Sequence, residues 1–211
     1  MLLVPTDSPG FEIVRDLPVM GAHSMGGHGE VIYTRVRVPD SAVLGRVGEA
    51  YKMAQVRLGP ARLTHCMRWL GVAQRALEIA TERALERRAF GKRLADHQAM
   101  QWMIADSEIE LHASRLMVMH AAWKHERGDD IRRESSACKV FVSETVDRVV
   151  DRAVQICGGL GVTHDTPLAD FYTSARAFRI YDGASEVHRM AIARAAIRRT
   201  EQAMRARATE G

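Results

Sequence analysis

Aromatic residues, cysteines and long apolar runs are all scarce in this chain. Only 6% of its 211 residues are aromatic, although Met occurs 11 times. Few aromatics beside abundant Ala, Leu, Arg and Glu favour helix over sheet. Hydrophobic residues at 46% and charged residues at 27% are ordinary for a globular protein, which excludes a disordered chain and a collagen. No apolar run approaches the roughly 20 residues that span a bilayer, which excludes a membrane bundle.

The cysteines form neither a CxxC pair nor a disulfide framework. Cys66, Cys138 and Cys157 are odd in number and far apart, which suits a reducing compartment. The first five residues lack a basic region, so we expect no signal peptide. The expected location is therefore cytoplasmic.

The excess of basic residues is mild. Thirty Lys and Arg stand against 26 Asp and Glu, for a net charge of +4. A solvated surface accounts for this most simply, and an anionic small molecule that carries phosphates is a second use. The basic residues are dispersed and no nucleic-acid motif accompanies them, so no nucleic-acid partner is expected. No Glu-x-x-His pair occurs, so we also expect no di-iron or other metal site.

Two regions of the chain differ in composition and in the spacing of their apolar residues. Residues 1–47 hold most of the prolines and contain short alternating segments at 11–14 and 30–38, which predict strands. From residue 48 onward the apolar residues recur at helical spacing. The sequence thus predicts a mainly α fold: a four-helix-bundle-type domain over 48–211, preceded by a short, partial antiparallel β segment.

Three apolar stripes predict the long helices of this bundle. They run over 63–84, 100–121 and 142–156. The first stripe includes Leu63, Met67 and Leu70. Further helices are expected over 168–177 and 185–206, with Asp130 as the N-cap of the third long helix.

Three motifs lie between these helices, and each has two interpretations. At 86–92 (ERRAFGK), Arg beside an aromatic and a Gly can hold a pyrophosphate, or simply close a helix with favourable cations. At 155–161 (QICGGLG), the glycines allow close approach of a ligand, or a helix C-cap. At 179–189 (RIYDGASEVHR), Asp182 is either a helix-capping carboxylate or a general base on a tight loop.

In this order and at these distances, the motifs resemble the C-terminal half of an acyl-CoA dehydrogenase. His97-Gln98 completes the set, and residues 9–59 resemble the end of the middle β domain of that family. The resemblance covers almost the whole chain. It implies a homotetrameric FAD enzyme of fatty acid metabolism, an oxidoreductase that converts acyl-CoA thioesters to trans-2-enoyl-CoA. It also implies an electron-transfer flavoprotein as the electron acceptor.

The resemblance implies roles for individual residues. Asp182 falls on the catalytic base, although most members have Glu there. Ala61 stands where other members carry the base, so Asp182 is the only candidate. The positions that match contacts to FAD, partly across a subunit interface, are Arg87, Phe90, Gln98, Gln155, Gly158 and Gly159. Those that match contacts to the acyl-CoA substrate are Arg62, Tyr181 and Gly183.

The chain lacks counterparts of the family's N-terminal helical domain and of the first half of its β domain. A fragment of a longer protein, a split enzyme and a degenerate descendant are three explanations. Two other functions therefore stay open beside the dehydrogenase. One is a truncated, non-catalytic oligomerisation module, and the other is a flavin oxidase of a different carbon acid such as a nitroalkane. In each case the bundle is expected to form a dimer or a tetramer.

Overall fold

The structure is a computed structural model, and it describes residues 1–20 and 27–209. The chain divides into two compact units, Met1–Leu58 and Gly59–Gly211. The domain boundary between residues 47 and 48 stays a prediction.

The first unit contains a two-stranded antiparallel sheet, as predicted. Strand β1 (Phe11–Leu17) pairs with β2 (His28–Tyr33), and Phe11 lies opposite Tyr33. Every residue of β2 is exposed.

The second strand ends earlier than the predicted residue 38. Arg35 has a φ of 51°, which is left-handed and ends the extended backbone. The N–H of Thr34 still donates to the carbonyl oxygen of Gly10 at 2.8 Å, so the antiparallel pairing continues for one residue beyond Tyr33 and then stops.

Five α-helices follow in the described part of the chain, as the mainly α prediction requires. They are α1 (Ala50–Glu86), α2 (Gln98–Glu126), α3 (Arg132–Cys157), α4 (Leu168–Phe178) and α5 (Ser185–Thr209). A small hairpin of β3 (Arg88–Ala89) and β4 (Lys92–Arg93) connects α1 to α2. No helix among the described residues combines the length and the apolar character needed to cross a membrane.

The predicted apolar stripes supply the core, with one correction on α1. Met67 is 57% exposed, whereas Cys66 is completely buried. With Cys66 in its place, the buried positions of the stripe advance in strictly alternating steps of three and four residues. This is the spacing that keeps side chains on one face of a helix. The buried stripe consists of Leu63, Cys66, Leu70, Ala73, Leu77, Ala80 and Ala84.

The helix α3 starts one position later than an Asp130 N-cap implies. Ile131 occupies the N-cap position, and its side chain makes no capping hydrogen bond. The Asp130 carboxylate still accepts the backbone N–H of Arg132 at 3.0 Å. It therefore accepts from one of the first-turn backbone N–H groups that have no partner within the helix, although Asp130 precedes the N-cap by one residue.

Helices α1 and α3 run in the same direction. Near their starts, Ser135 Oγ donates to the carbonyl oxygen of Gly59 at 3.1 Å. Near their ends, burial raises the pKa of the Cys157 thiol, and the nearby charge of Arg83 acts against that rise. The C-terminal ends of α1 and α3 therefore lie at the same end of the bundle.

Helix α2 runs antiparallel to α3. Glu110 of α2 forms an ion pair with Arg152, in the last turns of α3, at 3.0 Å. Further along α2, the carbonyl oxygen of Met117 accepts from Cys138 Sγ, in the early turns of α3, at 3.3 Å.

Candidate active site

The loop between α4 and α5 is tightly wound around Asp182. Asp182 has a φ of 56° and Gly183 a φ of 103°, so two consecutive residues are left-handed. Asp tolerates this conformation better than most residues. At Gly183 a Cβ would lie 2.5 Å from His188 Nε2, so no larger residue fits.

The backbone of this loop is held from two helices. Arg62 of α1 donates from Nε to the carbonyl oxygen of Asp182 at 2.9 Å. The buried His188 of α5 donates from Nε2 to the same oxygen at 3.2 Å. On its other side, His188 Nδ1 is 3.1 Å from Ser136 Oγ on α3. Three helices thus fix the position of residue 182.

A buried lysine supports the same loop from α3. Lys139 is completely inaccessible, and its Nζ donates to the carbonyl oxygen of Phe178 and, at 3.4 Å, to that of Gly183. The ammonium group also lies 4.5 Å from the centre of the Phe178 ring. Burial lowers the pKa of Lys139, because removal from water penalises the charged form.

The carboxylate of Asp182 lies against a histidine of α1. Its Oδ2 lies 2.9 Å from Nε2 of His65, and the Asp182 side chain is 22% exposed. A carboxylate that is partly exposed at a fixed position can accept a proton from a small bound molecule.

Tyr181, the neighbour of Asp182, is anchored to α1. Its hydroxyl accepts a hydrogen bond from Trp69 Nε1 and another from Arg68 Nη2 at 3.2 Å. Trp69 in turn stacks on Phe178 with ring centroids 5.8 Å apart. The structure therefore brings four sequence-predicted site residues together at one end of the bundle: Arg62, Tyr181, Asp182 and Gly183.

The other predicted residues lie elsewhere, beginning with the hairpin after α1. Phe90 and Gly91 form its turn with φ values of 51° and 81°. Two left-handed residues in a two-residue loop are typical of a type I′ turn, which favours Asn and Gly. A bulky residue with positive φ is uncommon. The ring of Phe90 is nevertheless 95% exposed and so available for contact.

The hairpin is tied to the start of α2. His97 Nε2 donates to the carbonyl oxygen of Ala89 at 3.2 Å, and the ring of His97 packs edge-on against Phe90 at 6.3 Å. The exposed Gln98 is the first residue of α2. Arg87, Phe90 and Gln98 therefore all lie in this hairpin or directly beside it.

The end of α3 offers an open stretch of backbone. Gly158 caps the helix with φ 59° and ψ −133°, a conformation that favours glycine, and its N–H donates to the carbonyl oxygen of Gln155. A Cβ added at Gly158 or Gly159 would meet nothing within 4 Å. One at Gly161 would lie 2.5 Å from the carbonyl oxygen of Val154, so that glycine serves close packing instead.

This second group of residues has the chemistry of a dinucleotide site. A guanidinium, two amide side chains, an exposed ring and open glycine backbone suit phosphates and a flat heterocycle. The group thus fits FAD as the bound molecule. Its members are Arg87, Phe90, Gln98, Gln155, Gly158 and Gly159.

The two groups lie at opposite ends of the bundle. Arg62 and Arg87 are 25 residues apart along α1, which at about 1.5 Å per residue is about 37 Å. This distance exceeds the length of an extended FAD molecule. Within one chain, the two groups therefore cannot contact the same FAD.

Sequence reasoning missed three residues that contact Asp182 or Gly183: His65, Lys139 and His188. A signal was present for the first two. His65 follows Arg62 by three residues, so the two share a helix face. Lys139 precedes Val142 by three residues and lies on the apolar stripe of α3, where an unpaired charge is costly.

Comparison with known proteins agrees with this architecture. Residues 49–197 match the family model described as "Acyl-CoA dehydrogenase, C-terminal domain". The chain is 43% identical to "Probable acyl-CoA dehydrogenase FadE2" of Mycobacterium tuberculosis, over 99% of this chain and 52% of that protein. It is 40% identical to "Acyl-CoA dehydrogenase family member 11" of Rattus norvegicus, over 98% of this chain and 27% of that protein.

A solved structure shows the same fold. Butyryl-CoA dehydrogenase from Megasphaera elsdenii superposes with a TM-score of 0.87 at 31% identity, over 93% of this chain and 51% of that chain. The chain thus spans about half the length of this structure and of the mycobacterial relative, and about a quarter of the rat protein.

Proposed function

Because the chain belongs to the acyl-CoA dehydrogenase family, we propose that it performs the α,β-dehydrogenation of an acyl-CoA thioester with FAD. The observation that carries the proposal is the Asp182 loop. Its carboxylate is partly exposed, while α1, α3 and α5 hold its backbone in a left-handed conformation.

In this proposal Asp182 acts as the base. The Cα–H bond of the thioester breaks and an O–H bond forms on the carboxylate of Asp182. The electron pair left behind becomes the second bond between the α- and β-carbons. FAD, when bound, supplies the acceptor for the hydride that leaves the β-carbon.

The fixed loop serves this step by positioning. The backbone N–H of Asp182 is proposed to donate to the thioester carbonyl, which would make the α-proton more acidic. Since Asp is one methylene shorter than Glu, small displacements of the loop would slow proton abstraction. Arg62, Lys139 and His188 limit such displacements through their bonds to loop carbonyls. Tyr181 and Gly183 border the proposed thioester position.

We propose that each FAD site is shared between two copies of the chain. Arg87, Phe90 and Gln98 would bind the cofactor near its pyrophosphate, and Gln155 with Gly158 and Gly159 would lie along its ADP part. The separation of about 37 Å from Arg62 supports this, because the FAD group of one copy must then face the Asp182 loop of another.

An exposed apolar stripe on α2 supports an oligomer. Its four residues recur every seven positions, and each is more than half exposed. A seven-residue repeat keeps side chains on one helix face, as in helices that pair. The stripe consists of Trp102 (62%), Ile109 (66%), Leu116 (53%) and Trp123 (52%). We propose a second copy of this chain as the partner of this face, in a dimer or tetramer.

The electron acceptor and the cellular location are also proposed. An electron-transfer flavoprotein as the acceptor follows from family membership. A cytoplasmic location is supported by Cys66, Cys138 and Cys157, which are all free and buried.

The test is turnover by the purified chain with added FAD, using butyryl-CoA and longer acyl-CoAs with a ferricenium salt as acceptor. We expect bound flavin absorbance and formation of the enoyl-CoA. Asp182→Asn should lower kcat by about a hundredfold or more, with flavin content unchanged.

Two results would contradict the dehydrogenase. Flavin binding with oxygen consumption on a nitroalkane, and no reaction of any acyl-CoA, would favour the oxidase. Absence of flavin together with indifference to Asp182→Asn would favour a non-catalytic module.

A further inference from the structure

His65 is the side chain that touches the carboxylate of Asp182. Its Nε2 lies 2.9 Å from Asp182 Oδ2. This is an ion-pair distance, and the Oδ2 atom itself is shielded from solvent. The imidazole also packs edge-on against the ring of Tyr181, with centroids 5.5 Å apart. These two contacts of the imidazole are therefore both with the loop that carries the proposed base.

His65 and Arg62 hold Asp182 at two different atoms. They are three residues apart on α1 and so lie on one face. Arg62 binds the backbone oxygen of residue 182 at 2.9 Å, while His65 binds its side chain. Helix α1 therefore contacts both the main chain and the carboxylate of Asp182.

We propose that His65 is a positioning residue that orients the Asp182 carboxylate for proton abstraction; this inference rests on the proposed function. An Asp side chain has a single carbon between backbone and carboxylate, and its rotation would move both oxygens. The close contact of His65 Nε2 with Oδ2 restricts that rotation and leaves Oδ1 as the proton acceptor. Both side chains are less than one-third exposed, so water only partly screens this contact.

The kinetic test compares His65→Ala with His65→Gln in the presence of FAD and butyryl-CoA. We expect His65→Ala to lower kcat about tenfold to a hundredfold with KM nearly unchanged, because the substrate still binds but the base is misplaced. His65→Gln should restore most of kcat, since its amide nitrogen can occupy a similar position beside Oδ2. His112→Gln, an exposed histidine change on α2, is the matched control and should have no effect.

A second readout needs neither FAD nor turnover. In the full chain with ¹⁵N-labelled histidine, Asp182→Asn should shift the imidazole signals of His65 and leave those of His112 in place. The His65 signals are identified by their loss in His65→Gln. This measurement also covers the case in which His65→Ala fails to fold.

Three results would overturn the inference. The first is a wild-type kcat in His65→Ala. The second is a kcat in His65→Gln as low as that of a folded His65→Ala variant. The third is that the His65 signals do not shift in Asp182→Asn. Failure of the proposed function looks different, because Asp182→Asn would then retain full dehydrogenation. If Asp182→Asn abolishes turnover while His65→Ala does not, only the role of His65 is wrong.

Discussion

The ring of His188 donates from Nε2 to the carbonyl oxygen of Asp182 at 3.2 Å and so joins α5 to the site loop. Its Nδ1 then accepts from Ser136 Oγ, which requires the neutral ring. Removal from water lowers the pKa of His188 below its ordinary value of 6.5. The charges of Arg62 and Lys139 lower it further, against the opposing influence of Asp182.

The folded protein should therefore lose stability on mild acidification. Below pH 6.5 the unfolded chain binds a proton at residue 188 more readily than the folded chain, so the free energy of unfolding falls as the pH falls through this window. His188→Gln keeps a donor for Asp182 but does not titrate, so its pH dependence should be flatter. Urea unfolding at several pH values checks this. Parallel curves for the wild type and His188→Gln would contradict it, and His112→Gln is the control.

Replacing Phe90 with glycine should stabilise the protein while it weakens FAD binding. Its left-handed backbone costs about 1 kcal/mol or more, and glycine there would relieve it. Phe90→Gly should therefore raise the free energy of unfolding by up to about 1 kcal/mol while weakening FAD binding several-fold. Phe90→Ala, the control, removes the ring but keeps the strain. Calorimetry and flavin titration measure the two effects, and unchanged FAD affinity in both variants would refute the contact.

Two inactive variants should restore activity when mixed. In the proposed arrangement, the Arg87 group and Asp182 of one chain serve different FAD sites, so a mixed dimer of Arg87→Ala and Asp182→Asn contains one intact site. After subunit exchange, about a quarter of wild-type activity is expected, because half of the dimers are mixed and each has one intact site of two. The double variant mixed with wild type is the reference for exchange. If subunits exchange but activity does not recover, the Arg87 group and Asp182 of one chain belong to the same site.

The apolar stripe on α2 should be needed for assembly. Leu116→Glu introduces a charge in the middle of the proposed contact between copies, and a buried unpaired charge is strongly unfavourable. The expected result is dissociation to a smaller species in light scattering, with helicity by circular dichroism preserved. Gln202→Glu places the same charge on the exposed surface of α5 and is the control. If Leu116→Glu keeps the wild-type mass, the stripe does not form the contact between copies.

Much of the helical architecture could be predicted from periodicity, because burial of one helix face demands a regular spacing. The error at Met67 shows the limit of this reasoning: Met67 and Cys66 are adjacent and both apolar, and only the direction of the neighbouring helices selects Cys66. The strand that ends at Tyr33 shows another limit. The apolar pattern continues to residue 38, but Arg35 adopts a left-handed turn.

The sequence by itself determined the helices, most of the core and the order of the motifs, since these depend on local spacing and residue type. Only the tertiary structure decided which residues meet Asp182. Arg62 is 120 residues away along the chain, and its bond exists because α1 packs beside the loop. The tertiary structure also decided that the motifs separate into two groups at opposite ends of the bundle, because the 37-residue helix α1 holds them apart.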